Sequence, residues 1–383
     1  MRQSQRPRPI SVRVSVRVMR VATMVVVAAL LFTGIVGGLL RAGVPFPTPS
    51  SSIWPGQAVL AHAFLMICAF LGTVIALERA VASKERLAFL APIVSTSAGV
   101  AALAGAMPLA SWLGAGAAFI FVLVNVALFQ RQRVPHIAVL LVGAVAWFVG
   151  TLLFALGDGM LATTAIPWWF AFLVLTIAGE RLEMTRLMRR HEGAAATLYL
   201  LVGCLLLGSA VFVVSPGAGA FVFGAALFGL SIWLACLDIA RRTLASEGLS
   251  RYMAVGLLLG YAWLGIAGVA WMATALGYPL RDLALHALGI GFVFSMMLAH
   301  APVMLPALAR IKVLFGWHFY VPLALLHASL AVRVAGPLNF EFLSVGAAGN
   351  ALAIAVFLLT MLASALLWRV RHSSRQHEVP AHH

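Results

Sequence analysis

The chain contains twelve long runs of apolar residues, and this feature restricts its fold more than any other. A helix needs about 20 apolar residues to cross a bilayer, and most of the runs approach that length. They are bounded by Gly/Pro turns or charge clusters, at 21–40, 58–77, 87–106, 112–129, 137–156, 166–179, 195–214, 219–239, 254–275, 283–301, 314–332 and 343–366. Since backbone polar groups must be satisfied within lipid, the sequence predicts an all-α, polytopic transmembrane helix bundle of about twelve spans.

The distribution of basic residues predicts the orientation of this bundle. The chain is 63% hydrophobic and 10% charged, with a net charge of +15. Such a charge would fit a nucleic-acid partner, but 23 of the 26 Lys and Arg residues fall on one side of the predicted topology. Only Arg41, Arg281 and Arg333 fall on the other. This is the positive-inside pattern, so we expect both termini in the cytoplasm, the lipid bilayer as partner and no nucleic acid.

The predicted spans leave no room for a soluble domain. We expect a basic cytoplasmic tail at 1–20, a single transmembrane domain at 21–366 and a histidine-rich cytoplasmic tail at 367–383. Cys68, Cys204 and Cys236 lie inside apolar runs, which favours small core residues over a disulfide framework. Similar short strings in spans 2, 6 and 10, such as HAFLMI and HALGIGF, fit three units of four helices.

Histidines within the spans are the strongest functional signal. His62, His286 and His327 lie near the predicted outer face, and His300 and His318 lie near the inner face. His286 and His300 are fourteen residues apart in 283–305, which in an α-helix places them about 21 Å apart and roughly 40° out of line. Gly289 and Gly291 would leave room beside them for a neighbouring helix or a flat ligand.

An unpartnered imidazole in hydrocarbon is costly, so each histidine needs a hydrogen-bond partner or a metal. One interpretation is that each binds a backbone carbonyl near a helix end. The other is that imidazoles facing one another hold haem iron or copper. For that case we predict a metal site at His62, His286 and His327, with His286 as the first ligand. The inner pair, His300 and His318, is the alternative cofactor site.

Carboxylates cluster at the predicted inner ends of the spans. Glu78-Arg79 ends span 2, and Glu180-Arg181-x-Glu183 ends span 6. We interpret them as ion pairs that anchor the helices, with a proton port or a docking site as the alternative. Asp238 is interpreted in the same way, with Arg241 and Arg242 as its partners.

At HAFLMICAFLGTVIALERA, AGERLEMTRL and HALGIGFVFSMMLAHAP the chain resembles the NnrS family and its relatives. The resemblance implies a twelve-span protein of the bacterial inner membrane. It also implies haem or copper and a role in nitric-oxide or nitrosative stress. The positions that it carries over are His62 and His286.

Three functions compete at this point. The first is a haem- or copper-binding membrane protein that acts as a redox sensor, protector or electron carrier with an unidentified redox partner. The second is a proton-coupled transporter that uses buried His and Glu. The third is a non-catalytic membrane assembly partner. No catalytic residue stands out, which favours a protein that is not an enzyme.

Overall fold

The computed structural model describes residues 10–47, 52–83, 85–160, 162–184, 193–309 and 311–377. This part of the chain contains helices and no strand, so the predicted all-α class is confirmed for it. Part of the two predicted tails, residues 1–9 and 378–383, lies outside the described residues. The first helix begins at Ile10 and the last continues to His377, so both helices extend beyond the predicted spans.

Each of the twelve predicted spans coincides with a helix. In chain order we label these helices α1 (Ile10–Arg41), α2 (54–83), α3 (Leu87–Leu103), α4 (Met107–Arg131), α5 (Pro135–Leu156), α6 (Ala162–Met184), α7 (Ala194–Val214), α8 (Pro216–Leu237), α9 (Gly248–Ala275), α10 (281–309), α11 (317–334) and α12 (Phe340–His377). Nine helices of the described chain (all except α1, α3 and α11) are long and apolar enough to cross a membrane. The chain is therefore a multi-pass helical membrane protein.

Proline and glycine set many of the helix boundaries, as the turn pattern predicts. Pro135 and Pro216 are the first residues of α5 and α8, where a missing N–H costs nothing. Gly105 and Gly277 follow α3 and α9 with φ of 83° and 93°, a conformation that favours glycine. These residues stop the helices and return the chain into the bundle.

Three helices form the centre of the bundle. α6 buries 72% of its most apolar stretch, and α2 and α10 bury 61% each, whereas the other candidate spans bury 56% or less. The three run parallel. Phe64 of α2 packs on Trp169 of α6 with ring centroids 6.1 Å apart, and Phe70 stacks on Phe294 of α10 at 6.2 Å. The groups at the start of each central helix therefore meet at one end of the bundle, and those at the finish meet at the other.

Two of these central helices are not α-helical throughout. Leu65–Gly72 in α2 and Ala287–Phe294 in α10 are π-helical, with hydrogen bonds one residue longer than in an α-helix. The prediction that His286 and His300 lie on one face assumed a regular α-helix between them. The π segment of α10 separates them, so that angle does not apply.

Candidate functional site

His62 binds α2 to α1. Its Nδ1 lies 2.8 Å from the carbonyl oxygen of Gly34. A Cβ atom at Gly38 would lie 2.7 Å from His62 Cε1, so glycine on α1 makes space for the imidazole. A carbonyl only accepts hydrogen bonds, which assigns the ring hydrogen to Nδ1 and leaves a lone pair on Nε2.

His286 lies one turn after Asp282 at the start of α10. Its Nδ1 is 3.0 Å from Asp282 Oδ1 and 2.9 Å from the Asp282 carbonyl oxygen. Both oxygens accept the Nδ1 hydrogen, so the lone pair of this ring also lies on Nε2. Asp282 was not among the predicted site residues. Its i, i+4 spacing from His286 is the sequence signal that would have identified it.

Arg333 of α11 completes the group around His286. It donates from Nε to Asp282 Oδ2 and from Nη2 to Asp282 Oδ1, both at 2.8 Å. Nη2 also lies 3.3 Å from His286 Nε2. The Arg333 side chain is only 9% exposed, although the sequence placed it in an outer loop. Its two-pronged geometry fixes the carboxylate that orients His286.

His62 and His286 face each other at this end of the bundle. Their ring centroids are 6.5 Å apart and their planes differ by 26°. Each ring uses Nδ1 to bind the protein; the Nε2 lone pair of His62 has no hydrogen-bond partner among the described residues, whereas that of His286 faces Arg333 Nη2. Metal-binding histidines have this arrangement, in which the second nitrogen donates to a carbonyl or carboxylate. We call these two residues the histidine pair.

His327 does not join the histidine pair. Its Nδ1 accepts a hydrogen bond from Trp263 Nε1 at 2.9 Å, and its Nε2 lies 3.3 Å from Ser295 Oγ. Ser295 in turn donates to the Gly256 carbonyl at 2.7 Å. Both ring nitrogens are therefore engaged by α9 and α10, and His327 fits the hydrogen-bonding interpretation. The predicted trio is reduced to a pair because α11 turns this imidazole toward α9.

The predicted inner pair also has separate partners. His300 Nδ1 lies 2.7 Å from the Met296 carbonyl, one turn back in α10. His318 Nε2 lies 3.0 Å from Ser364 Oγ in α12. Within the described residues, no group of three or more His, Cys, Asp or Glu side chains is arranged to hold a metal ion.

The carboxylates meet at the opposite end of the central helices. Arg79 Nη2 of α2 lies 3.9 Å from Glu180 Oε1 of α6, and the Glu78 carboxyl interacts electrostatically with Glu180. One of these carboxylates therefore forms an ion pair, but with the arginine of a neighbouring helix instead of the arginine next to it in sequence. Asp238, in contrast, forms no ion pair with the predicted Arg241 and Arg242 in the described part of the chain, and its Oδ1 accepts a hydrogen bond from the Ala240 N–H at 2.6 Å. Burial raises the pKa of the Asp238 carboxyl above its usual range.

Comparison with known proteins identifies the family alone. No curated protein and no solved structure matches the chain. One family model matches residues 20–366, from the end of the basic N-terminal segment to the last predicted span. The chain therefore belongs to DUF8744, a family described as a domain of unknown function.

Proposed function

We propose that the chain is a membrane protein that binds a redox metal, copper or haem iron, through His62 and His286. The observation that carries this proposal is the histidine pair, whose Nδ1 atoms are both held by the protein, so that Nε2 is the atom of each ring that could bind a metal once Arg333 leaves His286. Neutral imidazole is a common ligand for copper and iron. The resemblance to the NnrS family supports the same two residues.

The surroundings of the pair favour a single copper ion over haem. Metal–nitrogen bonds of about 2 Å allow one ion between two imidazoles whose centroids are 6.5 Å apart. The two glycines that were expected to leave space for a flat ligand such as haem are instead next to aromatic side chains. A Cβ at Gly291 would lie 2.5 Å from Trp263 Cγ, and one at Gly289 would lie 3.9 Å from Phe170. When bound, copper would supply one-electron redox chemistry, and His62 and His286 would hold it.

Arg333 is the residue that opposes metal binding in this arrangement. Its guanidinium lies 3.3 Å from His286 Nε2, the atom that would bind the ion. Two positive charges at such a distance repel, so Arg333 must move when the ion enters. Asp282, which accepts from Arg333 through both carboxylate oxygens, can keep the arginine paired as it moves.

The proposed metal site also suggests a role and a location for the protein. A redox metal near the outer face suits a sensor, protector or electron carrier in nitrosative stress rather than an enzyme. We place the chain in the bacterial inner membrane with twelve spans and both termini in the cytoplasm. The coincidence of every predicted span with a helix and the distribution of basic residues support this topology.

Metal analysis and an absorption spectrum test the proposal on matched amounts of purified protein after copper- and haem-replete expression. We expect the wild type to carry copper or haem, and His286→Ala and His62→Ala to insert normally and lose it. His318→Ala is the matched control, because it removes an imidazole bound to Ser364 at the other face. A wild type without either metal would reject the proposal, as would full occupancy in both histidine variants.

A proton-coupled transporter is the second candidate, and the carboxyl groups of Glu78 and Glu180 favour it. These groups interact on two central helices, and Arg79 approaches one of them. Neighbouring carboxyl groups repel when both are charged, so a proton is a natural ligand for them. In proteoliposomes with a pH-sensitive dye, Glu180→Gln would then abolish proton uptake, whereas Glu183→Gln would retain it. Equal uptake in the wild type and Glu180→Gln would reject this candidate.

A further inference from the structure

His327 lies in a series of hydrogen bonds that connects α9, α10 and α11. Trp263 Nε1 donates to His327 Nδ1 at 2.9 Å. An indole N–H only donates, so the hydrogen of the neutral imidazole lies on Nε2, which faces Ser295 Oγ at 3.3 Å. The Ser295 hydroxyl donates its own hydrogen to the Gly256 carbonyl at 2.7 Å. Each donor has one acceptor, and we call Trp263, His327 and Ser295 the indole network.

The indole network contacts the π segment of α10 at its middle and at its end. Ser295 directly follows the segment Ala287–Phe294 and is 0% exposed. The Trp263 ring packs against Gly291 in the middle of the segment. His286 immediately precedes the segment at its other end. The network therefore holds the part of α10 from which His286 extends toward the histidine end of the bundle.

Helix α11 holds α10 on both sides of the π segment. On one side His327 faces Ser295. On the other side Arg333 forms two hydrogen bonds of 2.8 Å with Asp282. Both contacts come from one continuous helix, so their separation is fixed. With its two ends held in this way, the segment between them keeps its hydrogen-bonding register.

This register determines the direction of the His286 side chain. Hydrogen bonds in a π segment span one residue more than those in an α-helix. A return to α-helical bonding would shift one end of the segment against the other by about one residue, which is about 100° of rotation and 1.5 Å of rise. With Ser295 fixed, that rotation would turn His286 away from His62, whose ring centroid is 6.5 Å away.

We propose that His327 is a positioning residue of the metal site, which holds Ser295, keeps the π segment of α10 in register and so directs His286 toward His62. The proposal rests on the metal-binding function proposed above. His327 does not contact the ion in this role, because both of its ring nitrogens are engaged within the indole network.

Copper(I) binding tests this role in the full-length protein in detergent, by competition with a colorimetric copper(I) chelator. His327→Phe fills the same space without a polar atom. We expect it to lower the affinity for copper(I) about tenfold, the lower end of the range for residues that orient metal ligands. His327→Gln should restore the affinity, because its amide oxygen can accept from Trp263 and its amide NH2 can donate to Ser295.

His318→Phe is the matched control for a general loss of stability. It removes the other histidine–serine contact of α11, in which Nε2 lies 3.0 Å from Ser364 Oγ, and should keep the wild-type affinity. Equal affinity in His327→Phe and the wild type would overturn the proposal. Equal losses in His327→Phe and His318→Phe would also overturn it, since they would reflect packing and not position.

Crosslinking of the metal-free protein separates this proposal from the proposed function. In a background without the three native cysteines, His62→Cys and His286→Cys place two thiols at the histidine pair, where a short bifunctional thiol reagent can join them. We expect His327→Phe to lower the crosslinked fraction several-fold and His318→Phe to leave it unchanged. Unchanged crosslinking in His327→Phe would overturn the proposal whether or not copper binds.

Two further outcomes are distinguished by the same measurements. A wild type that binds no copper would reject the proposed function and the role of His327 at a metal, while the crosslinking would still report the register of α10. If His327→Phe does not fold, Ser295→Ala removes the same contact with a smaller change of volume. Wild-type copper affinity and crosslinking in Ser295→Ala would then overturn the proposal.

Discussion

At the scale of single residues, the Asp282 carboxylate links the groups at the end of the bundle that carries the histidine pair. It accepts from the His286 imidazole and, through both oxygens, from the Arg333 guanidinium. The arginine side chain is 9% exposed and the carboxylate 40%, so one partner is buried and the other is partly in solvent. Removal of the carboxylate would leave a buried guanidinium without a counter-charge.

We therefore expect Asp282→Ala to lower the free energy of unfolding by about 3 kcal/mol, the lower end of the range for breaking a buried pair. Glu85→Ala is the matched control. It removes the carboxylate of the exposed Glu85–Arg131 pair, which has a similar distance of 2.9 Å, and should cost less than about 1 kcal/mol. Thermal unfolding in detergent measures both. Similar losses of Tm in the two variants would show that burial of Arg333 contributes nothing.

At this scale the sequence predicted that His62 and His286 lie together, but it did not predict the groups that each histidine binds. The sequence placed His62 and His286 at the same depth in the membrane. Residues at the same depth on packed helices can be neighbours, and these two are. His327 was predicted at a similar depth, but depth does not determine rotation about the helix axis. Its engagement by Trp263 and Ser295 depends on the packing of α9, α10 and α11, and no local pattern encodes this.

At the scale of helices, α2 and α10 share one plan. Each carries a histidine in its first turns, His62 or His286, shortly before an eight-residue π segment, Leu65–Gly72 or Ala287–Phe294. π segments are rare and frequently lie at functional sites. The sequence did not predict them, because the runs LMICAFLG and ALGIGFVF contain no polar residue whose spacing would reveal the helical period.

Two glycines in the second π segment test how closely α10 is packed. A Cβ at Gly291 would lie 2.5 Å from Trp263 Cγ, whereas the nearest atoms to one at Gly289 are 3.9 Å away in Phe170. We expect Gly291→Ala to lower the free energy of unfolding by roughly 1–3 kcal/mol, since the Trp263 ring must shift. Gly289→Ala should be neutral within about 1 kcal/mol. A thermal shift assay on both variants checks this, and an unperturbed Gly291→Ala would contradict the observed packing.

At the scale of the whole molecule, the chain closes into a bundle whose first and last helices are neighbours. Ser344 of α12 donates to the Ala42 carbonyl at the end of α1 at 2.6 Å. Most helix bounds could be predicted to within several residues, because apolar run length and Gly/Pro turns are local signals, but the polar extensions of α1 and α12 could not. The central position of α2, α6 and α10 could not, since burial within a membrane bundle leaves little contrast between protein-facing and lipid-facing apolar residues.

Reporter fusions test the orientation of the bundle. Fusions after Lys84, Arg190 and Arg251 should give cytoplasmic signals, and fusions near Asp158 and Tyr278 should give periplasmic signals. The physical reason is the concentration of 23 of the 26 basic residues on one predicted face. One clear inversion among these five sites would disprove the twelve-span topology.

The parallel direction of the three central helices has an electrical consequence. Each helix carries about half a positive charge at its N-terminus and half a negative charge at its C-terminus, from the alignment of its peptide dipoles. α2, α6 and α10 present three N-termini toward the histidine pair and three C-termini toward Glu78 and Glu180. The positive helix ends repel positive charge, so they favour the oxidation state in which a bound ion carries less of it. Copper between His62 and His286 would therefore be held preferentially as copper(I). At the other end, the negative end of the α6 dipole stabilises the guanidinium of Arg181, which lies in the last turn of that helix.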